Sequence, residues 1–283
     1  MTLARALSRM PDAVRLRLVR VRGSCPREEG AEMVVGAAAL HGTIGGGQLE
    51  YMAIDRARAM LRDGEKRVRM DVPLGPEIGQ CCGGRVEIAL ERLDDAARAA
   101  MLAGAEAEAR DRPHLYIFGA GHVGRALAQI AQTLPLRVVL VDSRAGELAQ
   151  CTAQVETRLS VLPEALIRAA PPGSAFVVLT HDHALDFLLA AEALARDDAA
   201  YAGMIGSATK RAKFARYLRA QWPDRPVARL VCPMGAHADD KRPEVIAAFV
   251  AAEALAAVLG HAAAARSGAK ARVEEHAKNH VMT

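Results

Sequence analysis

Aromatic residues are scarce in this chain: five phenylalanines, four tyrosines and one tryptophan among 283 residues. That scarcity argues against surfaces that read nucleic acid by stacking bases on exposed rings. A strong charge of one sign is lacking too. The net charge is +4, and basic residues are interleaved with acids, as in RARAMLRDGEKRVRM. Such stretches read as solvated faces, and neither a nucleic-acid nor a membrane partner is expected. The longest apolar run, IAAFVAAEALAAVL at 246–259, is short for a bilayer span and is expected to form a buried helix. The five cysteines (Cys25, Cys81, Cys82, Cys151 and Cys232) are odd in number and form no CxxC pairs, and no signal-peptide pattern is seen. The expectation is a reducing cytoplasm, with no disulfide framework and no structural zinc.

What is abundant is alanine, within a composition that is 51% hydrophobic and 25% charged. That balance suits helix-rich α/β packing, and the length allows two domains with a core each. The strongest local pattern is LYIFGAGHVGRALAQIAQTLPLRVVLVD, residues 115–142. It reads as strand, Gly119-x-Gly121-x-x-Gly124 turn, helix, second strand and a terminal acid. Gly119 permits the tight turn, Gly121 lets backbone approach a phosphate, and Gly124 lets helix pack on strand. Asp142 stands where a carboxylate accepts from a ribose hydroxyl. Further strands are read at 137–141, 175–179, 201–205 and 229–231, with helices between and a last one from Pro243. Alternation at this spacing predicts a doubly wound parallel sheet, a Rossmann-like domain over 113–260.

The first hundred residues read differently. Ala13–Arg22, AVRLRLVRVR, alternates apolar and basic residues with period two, as a half-buried strand does. A GSCPREEG loop leads to EMVVG, then to the glycine loop HGTIGGG and a helix over 48–61. Two more strands, at 66–72 and 85–90, flank PLGPEIGQCCGG. Residues 1–92 are therefore expected to form a small α+β domain with an antiparallel sheet. A linking helix over 93–112 follows, ending before Pro113. The tail, 261–283, shows no apolar period and is expected to be disordered.

Several clusters carry chemistry. Gly45, Gly46 and Gly47 stand directly before a helix and offer bare backbone N–H groups to an anion; the competing reading is a tight turn that needs positive φ. Cys81 and Cys82 precede Gly83 and Gly84, a loop in which a thiolate stays reachable; the alternative is one buried small residue beside a bystander. THDHALD follows a strand, so His181 and His183 belong at the carboxyl edge of the sheet, able to move protons or bind a metal unless Thr180 or Asp182 merely caps the helix. Gly206 and Ser207 begin another strand–turn–helix. Lys210 and Arg211 in its first turn oppose the helix dipole, which makes sense with an anion nearby.

Taken in order, GSCPREEGAEMVV, GTIGGGQLE, CCGG, IFGAGHVGRALA, VLVDSR, LTHDHALDF, YAGMIGSATKRAKF and CPMGAHADDKRPEVIAA resemble the XdhC/CoxF family of xanthine dehydrogenase accessory proteins, across residues 10–258. The resemblance implies a small N-terminal domain and a Rossmann domain. It implies an accessory protein rather than an enzyme: one that binds the molybdopterin form of the molybdenum cofactor. Such a protein holds it while a NifS-like L-cysteine desulfurase adds the terminal sulfido ligand, and passes it to the molybdenum subunit of apo-xanthine dehydrogenase. Cys82 matches the CGG of the family pattern, which implies a thiolate for molybdenum or for a persulfide. Cys232 matches CPxG, and Cys25 and Cys81 carry no implied role. Two rival readings stand beside this one. The fingerprint and the His181/His183 pair suit an NAD(P)-dependent oxidoreductase, or the chain is a scaffold for the desulfurase with an empty crevice. A homodimer is compatible with the helix content, and no motif specifies it.

Overall fold

The computed structural model describes residues 2–76, 83–235 and 240–280. Contacts divide the chain into two units, Met1–Ala109 and Arg110–Thr283. The first is built on five strands: β1 (Ala13–Arg22), β2 (Glu32–Gly36), β3 (Leu40–Gly42), β4 (Arg67–Pro73) and β5 (Arg85–Arg92). They lie in the order β3-β2-β1-β5-β4, every pair antiparallel. The period-two pattern of β1 sorts its side chains. Val14, Leu16 and Leu18 enter a core with Leu49, Ala53 and Met60 of α2 (Gly47–Asp63). Arg15, on the alternate side, pairs across the sheet with Glu91 at 2.8 Å.

The other face of this sheet is covered as well. Ala13 and Val34 pack with Ala6 and Leu7 of α1 (Leu3–Ser8) and with Met101 of α3 (Asp95–Asp111). This corrects the role expected for 93–112. The helix is there, but it is part of the first unit rather than a link: its Arg98 guanidinium donates to the carbonyls of Leu7, Met10 and Pro11 at 3.3, 2.8 and 2.7 Å. The first unit thus extends past residue 92.

The second unit alternates strands and helices: β6 (His114–Phe118), α4 (His122–Ala131), β7 (Arg137–Asp142), α5 (Ala145–Ala149), β8 (Glu156–Leu159), α6 (Glu164–Ala169), β9 (Ala175–Val178), α7 (His183–Leu194), β10 (Tyr201–Met204), α8 (Ala208–Gln221), β11 (Leu230–Val231) and α9 (Pro243–His280). The six strands are parallel, in the order β11-β10-β9-β6-β7-β8. Leu115 and Ile117 face a core with α4 and α9, while Tyr116 and Phe118 face one with α7 and α8. Both faces are covered, so the central strands are apolar without interruption. The chain leaves β6 toward β7 on one side and returns to β9 on the other. That reversal opens a crevice at the carboxyl ends of β6 and β9, where doubly wound folds bind ligands.

Three differences from the sequence reading have physical causes. Strand β8 was not foreseen: it is an edge strand of sequence ETRL, half-buried at Glu156 and exposed beyond it, so no apolar pattern marks it. The tail expected to be disordered from 261 continues α9 through His280, as its alanine-rich composition favours. The apolar run of α9 is also longer than expected. Residues Pro243–Ala265 are, by length and composition, sufficient to cross a membrane, with mean hydropathy 1.9. One stripe of this helix, Ala247, Val250, Ala251, Ala254 and Val258, is buried in the core of the second unit.

Candidate functional site

The three fingerprint glycines have different reasons to be glycine. Gly119 has φ of 122°, and a Cβ there would sit 2.4 Å from the carbonyl oxygen of Leu179 at the end of β9. A Cβ on Gly124 would sit 1.9 Å from the carbonyl oxygen of Gly119, so helix α4 packs on its strand only with glycine at that position. Gly121 differs. Its φ of −67° suits any residue, and a Cβ would meet nothing within 4 Å. The chain's own packing does not require this glycine, whereas a ligand approaching the start of α4 would.

Asp142 does not offer the free carboxylate expected of it. Oδ1 accepts from the Arg144 backbone N–H at 2.9 Å and from Arg144 Nε at 3.0 Å. Oδ2 accepts from the Ala120 N–H at 2.7 Å and from Arg144 Nη2 at 3.0 Å. A carboxylate has about four acceptor positions, and all are engaged. Burial pushes this carboxyl up, but the Arg144 guanidinium and the Ala120 and Arg144 N–H groups outweigh it and hold it below the usual range. A ribose hydroxyl therefore finds no acceptor here unless Arg144 moves. Beside it, a small crevice of about 20 Å³ is walled by Phe118, Val141, Leu185 and Leu189, with Ser143, Ser160 and His181 as polar lining. Leu159 at the end of β8, and Val161 and Leu162 on the loop that contributes Ser160, stand exposed.

On the β9 side the helix-capping reading prevails. Asp182 caps α7, accepting from the N–H groups of Ala184 at 2.8 Å and Leu185 at 3.4 Å. His181 and His183 are exposed, and His181 alone of the two lines the crevice. The sequence reading passed over the residue that organises this edge, Asp186, which is 0% exposed. Its carboxylate accepts from Thr180 N–H at 2.9 Å and Thr180 Oγ1 at 2.7 Å, and pairs with Lys210 Nζ. The anion expected near Lys210 is thus internal. Arg211 is likewise spent on the carbonyls of Leu230 and Cys232. Ser207 caps α8 by accepting from Lys210 N–H at 3.3 Å, and a Cβ on Gly206 would press on Lys210 Cδ at 2.7 Å. Burial pushes the Cys232 thiol up, with Lys210 and Arg211 pulling the other way, so this cysteine rests as a thiol.

In the first unit the glycine cradle exists and is already filled. Glu50 Oε1 accepts from the N–H groups of Ile44, Gly45 and Gly46 at 2.9, 3.2 and 2.9 Å, and from the Thr43 hydroxyl. Gly45, Gly46 and Gly47 have φ of 132°, 80° and 65°, so the turn itself demands all three. The reading of this loop as a ligand's seat is therefore corrected: a carboxylate four residues on plays the anion. Burial raises the Glu50 carboxyl, but the Thr43 hydroxyl and the N–H groups of Gly46, Ile44 and Gly45 bring it below its ordinary value. The ionised form is thus favoured by folding, and its contribution is complete above the unfolded pKa and lost as pH falls through the lowered one. Glu50→Ala is expected to destabilise the first unit by about 1–2 kcal/mol at neutral pH. The gap from the parent should narrow in acid, as read from denaturant midpoints between pH 3 and 7; a pH-independent gap would contradict the capping role.

Cys81 and Cys82 lie outside the described residues. The glycines beside them are described. Gly83 has φ of 67° and donates to the Leu74 carbonyl at 2.9 Å. A Cβ on Gly84 would sit 2.1 Å from the Ser24 carbonyl oxygen. Gly84 is therefore pressed against the backbone of Ser24, and glycine is what permits it. Among the described residues no three His, Cys, Asp or Glu side chains come together as a metal site.

Family comparisons match both units. The family described as the XdhC Rossmann domain matches residues 115–254, and the XdhC and CoxI family matches residues 7–71. The chain is 28% identical over 249 residues to the uncharacterized protein YqeB of Escherichia coli strain K12, covering 84% of this chain and 42% of that protein. It thus spans less than half the length of that relative. A crystal structure described as a xanthine dehydrogenase from Bacillus halodurans superposes with a TM-score of 0.73 at 18% identity, covering 88% of this chain and 92% of the other. At that identity the likeness concerns the fold.

Proposed function

Since the chain belongs to the XdhC and CoxI family, whose membership implies a role in xanthine dehydrogenase maturation, we propose that its part in that role is to carry the molybdenum cofactor. In this reading the molybdopterin form of the cofactor is cargo. The chain binds and shields it while an L-cysteine desulfurase supplies sulfur, then releases it to the apo-dehydrogenase. The cargo brings a redox-active metal bound through dithiolene sulfurs to a phosphorylated pterin. The protein contributes binding, orientation and exclusion of water. Cys82 is the thiolate proposed to face the metal or a sulfur in transit.

The observation that carries this reading is the open flank of Gly121, two residues along the chain from Gly119, which lines the apolar crevice. An apolar wall suits a flat pterin, and a glycine that the fold does not need suits close approach of an anionic group. The NAD(P)-dependent oxidoreductase reading is less well supported, because all acceptor positions of Asp142 are taken and only one histidine of the pair, His181, lines the crevice. The test is anaerobic mixing of the purified protein with molybdenum cofactor, followed by size exclusion. Near-stoichiometric molybdenum and pterin per protomer are expected, reduced in Cys82→Ser. Absence of both metal and pterin, with clear NAD(H) binding in parallel, would overturn the proposal.

A further inference from the structure

The charged face of the first unit's sheet is laid out in rows across β1, β5 and β4. Two rows carry an acid on the central strand β5: Arg15–Glu91–Arg67 and Arg20–Glu87–Asp71. Between them lies a third row, Arg17–Ala89–Arg69, in which that acid is missing. Glu91 holds both of its neighbours, Arg15 at 2.8 Å and Arg67 at 2.8 Å. In the middle row Arg69 turns one nitrogen, Nη1, to Glu87. Arg17 finds only a long contact among the described residues, its Nε lying 3.7 Å from Glu32. Arg17 and Arg69 are 52% and 72% exposed. Helices α1 and α3 cover this face at its Ala13 and Val34 end. An open groove of about 340 Å³ lies over the middle row, with Arg67, Arg69, Ala89 and Glu91 in its lining. Alanine is a poor strand residue on its own account. Here it is half-exposed and separates two cations across two interstrand spacings, about 10 Å.

We propose that this row docks a carboxylate of a partner protein, which lies over Ala89 between Arg17 and Arg69 as Glu91 lies between Arg15 and Arg67. A carboxylate placed there accepts from the Arg17 fork and from the remaining N–H groups of Arg69. The flanking acids decide the class of partner. Glu87 and Glu91 stand two residues to either side of Ala89, about 7 Å along the strand. A nucleic-acid backbone or an anionic lipid surface would set further negative charge against them. A protein face can instead offer one carboxylate among neutral or basic residues. Arg20 and Arg22, exposed farther along β1, extend the cationic side of the same face. The proteins with which to test it are the two that the carrier reading names, the L-cysteine desulfurase and the apo-dehydrogenase. The choice of partner thus rests on that reading, while the surface rests on the register of the sheet.

The test is calorimetric titration of the full-length protein with each of those two purified proteins, at about 50 mM and about 300 mM salt. At least one is expected to bind the parent, and to bind it more weakly at the higher salt. Ala89→Glu supplies the missing acid from within. It should weaken that binding about tenfold or more and leave the unfolding midpoint level with the parent's or above it. Ala89→Gln has the same size without the charge and should lose far less. Arg17→Ser, which gives up only the long contact to Glu32, should weaken binding severalfold and serves if the glutamate variant does not fold. Equal losses in the glutamate and glutamine variants, or full binding by folded Ala89→Glu and Arg17→Ser, overturn the proposal. Binding of neither protein also overturns it; uptake of molybdenum cofactor by the same preparation then decides the carrier reading separately. A DNA duplex and vesicles of phosphatidylglycerol are titrated alongside. Binding of either that Ala89→Glu abolishes, with no protein bound, would overturn the choice of a protein partner.

Discussion

Gly124→Ala is expected to destabilise the second unit by about 3 kcal/mol or more, while Gly121→Ala should cost less than about 1 kcal/mol. The two positions are three residues apart in one motif, and helix propensity alone would favour alanine at Gly124. What separates them is space. The new methyl at 124 would lie 1.9 Å from the carbonyl oxygen of Gly119, a backbone atom that no rotamer change can move aside. Either α4 lifts off β6 or the turn opens, and each exposes part of the core formed by Leu115, Ile117, Leu127 and Ala128. At Gly121 the methyl points into open space, and the loss is limited to a less favourable residue at the helix N-cap. Denaturant unfolding followed by circular dichroism measures both. A Gly124→Ala protein as stable as its parent would mean that the strand-to-helix packing differs from that described. If Gly121→Ala keeps its stability but loses ligand, the glycine serves binding alone.

How much of this was legible in the sequence depended on whether one residue or two carried the signal. Strand β1 was legible from its period of two, and β6, β7 and β9 because each is a short continuous apolar run of adjacent residues. The fingerprint was legible because three glycines, two strands and an acid stand at fixed offsets. Strand β8 was not, since an edge strand of polar residues is defined by its neighbour β7 rather than by its own pattern. At the site the same rule held. Residue types were read well, but partners across the fold were not. The sequence shows Asp142 and Arg144 two residues apart without showing that they consume each other. It shows TIGGG before a helix without showing that Glu50 turns back to fill it. A capping signal was present there, since an acid in the first turn of a helix can reach back to unpaired N–H groups. Asp186 and Lys210 are 24 residues apart on different helices, and only the tertiary fold joins them.

That last pair carries the second large effect. Lys210→Met should cost about 3–5 kcal/mol, because it leaves the Asp186 carboxylate buried without its cation. Methionine keeps the apolar stem of the side chain, so lost packing contributes little. Asp186 is 0% exposed, and its other partners, the N–H and hydroxyl of Thr180, satisfy hydrogen bonds without neutralising the charge. Asp186→Asn removes that charge, and an asparagine oxygen can still accept from Thr180. The double variant Asp186→Asn/Lys210→Met is therefore expected to recover more than half of the loss of Lys210→Met, a coupling that a double-mutant cycle in denaturant reads directly. Because Thr180 precedes His181, which lines the crevice, loosening Asp186 should also free the loop after β9. Hydrogen exchange at Thr180 and His181 should then accelerate in Lys210→Met and return toward the parent rate in the double variant. A cost below about 1 kcal/mol for Lys210→Met, or additive losses in the double variant, would show that the pair neither shares a buried charge nor anchors that edge of the crevice.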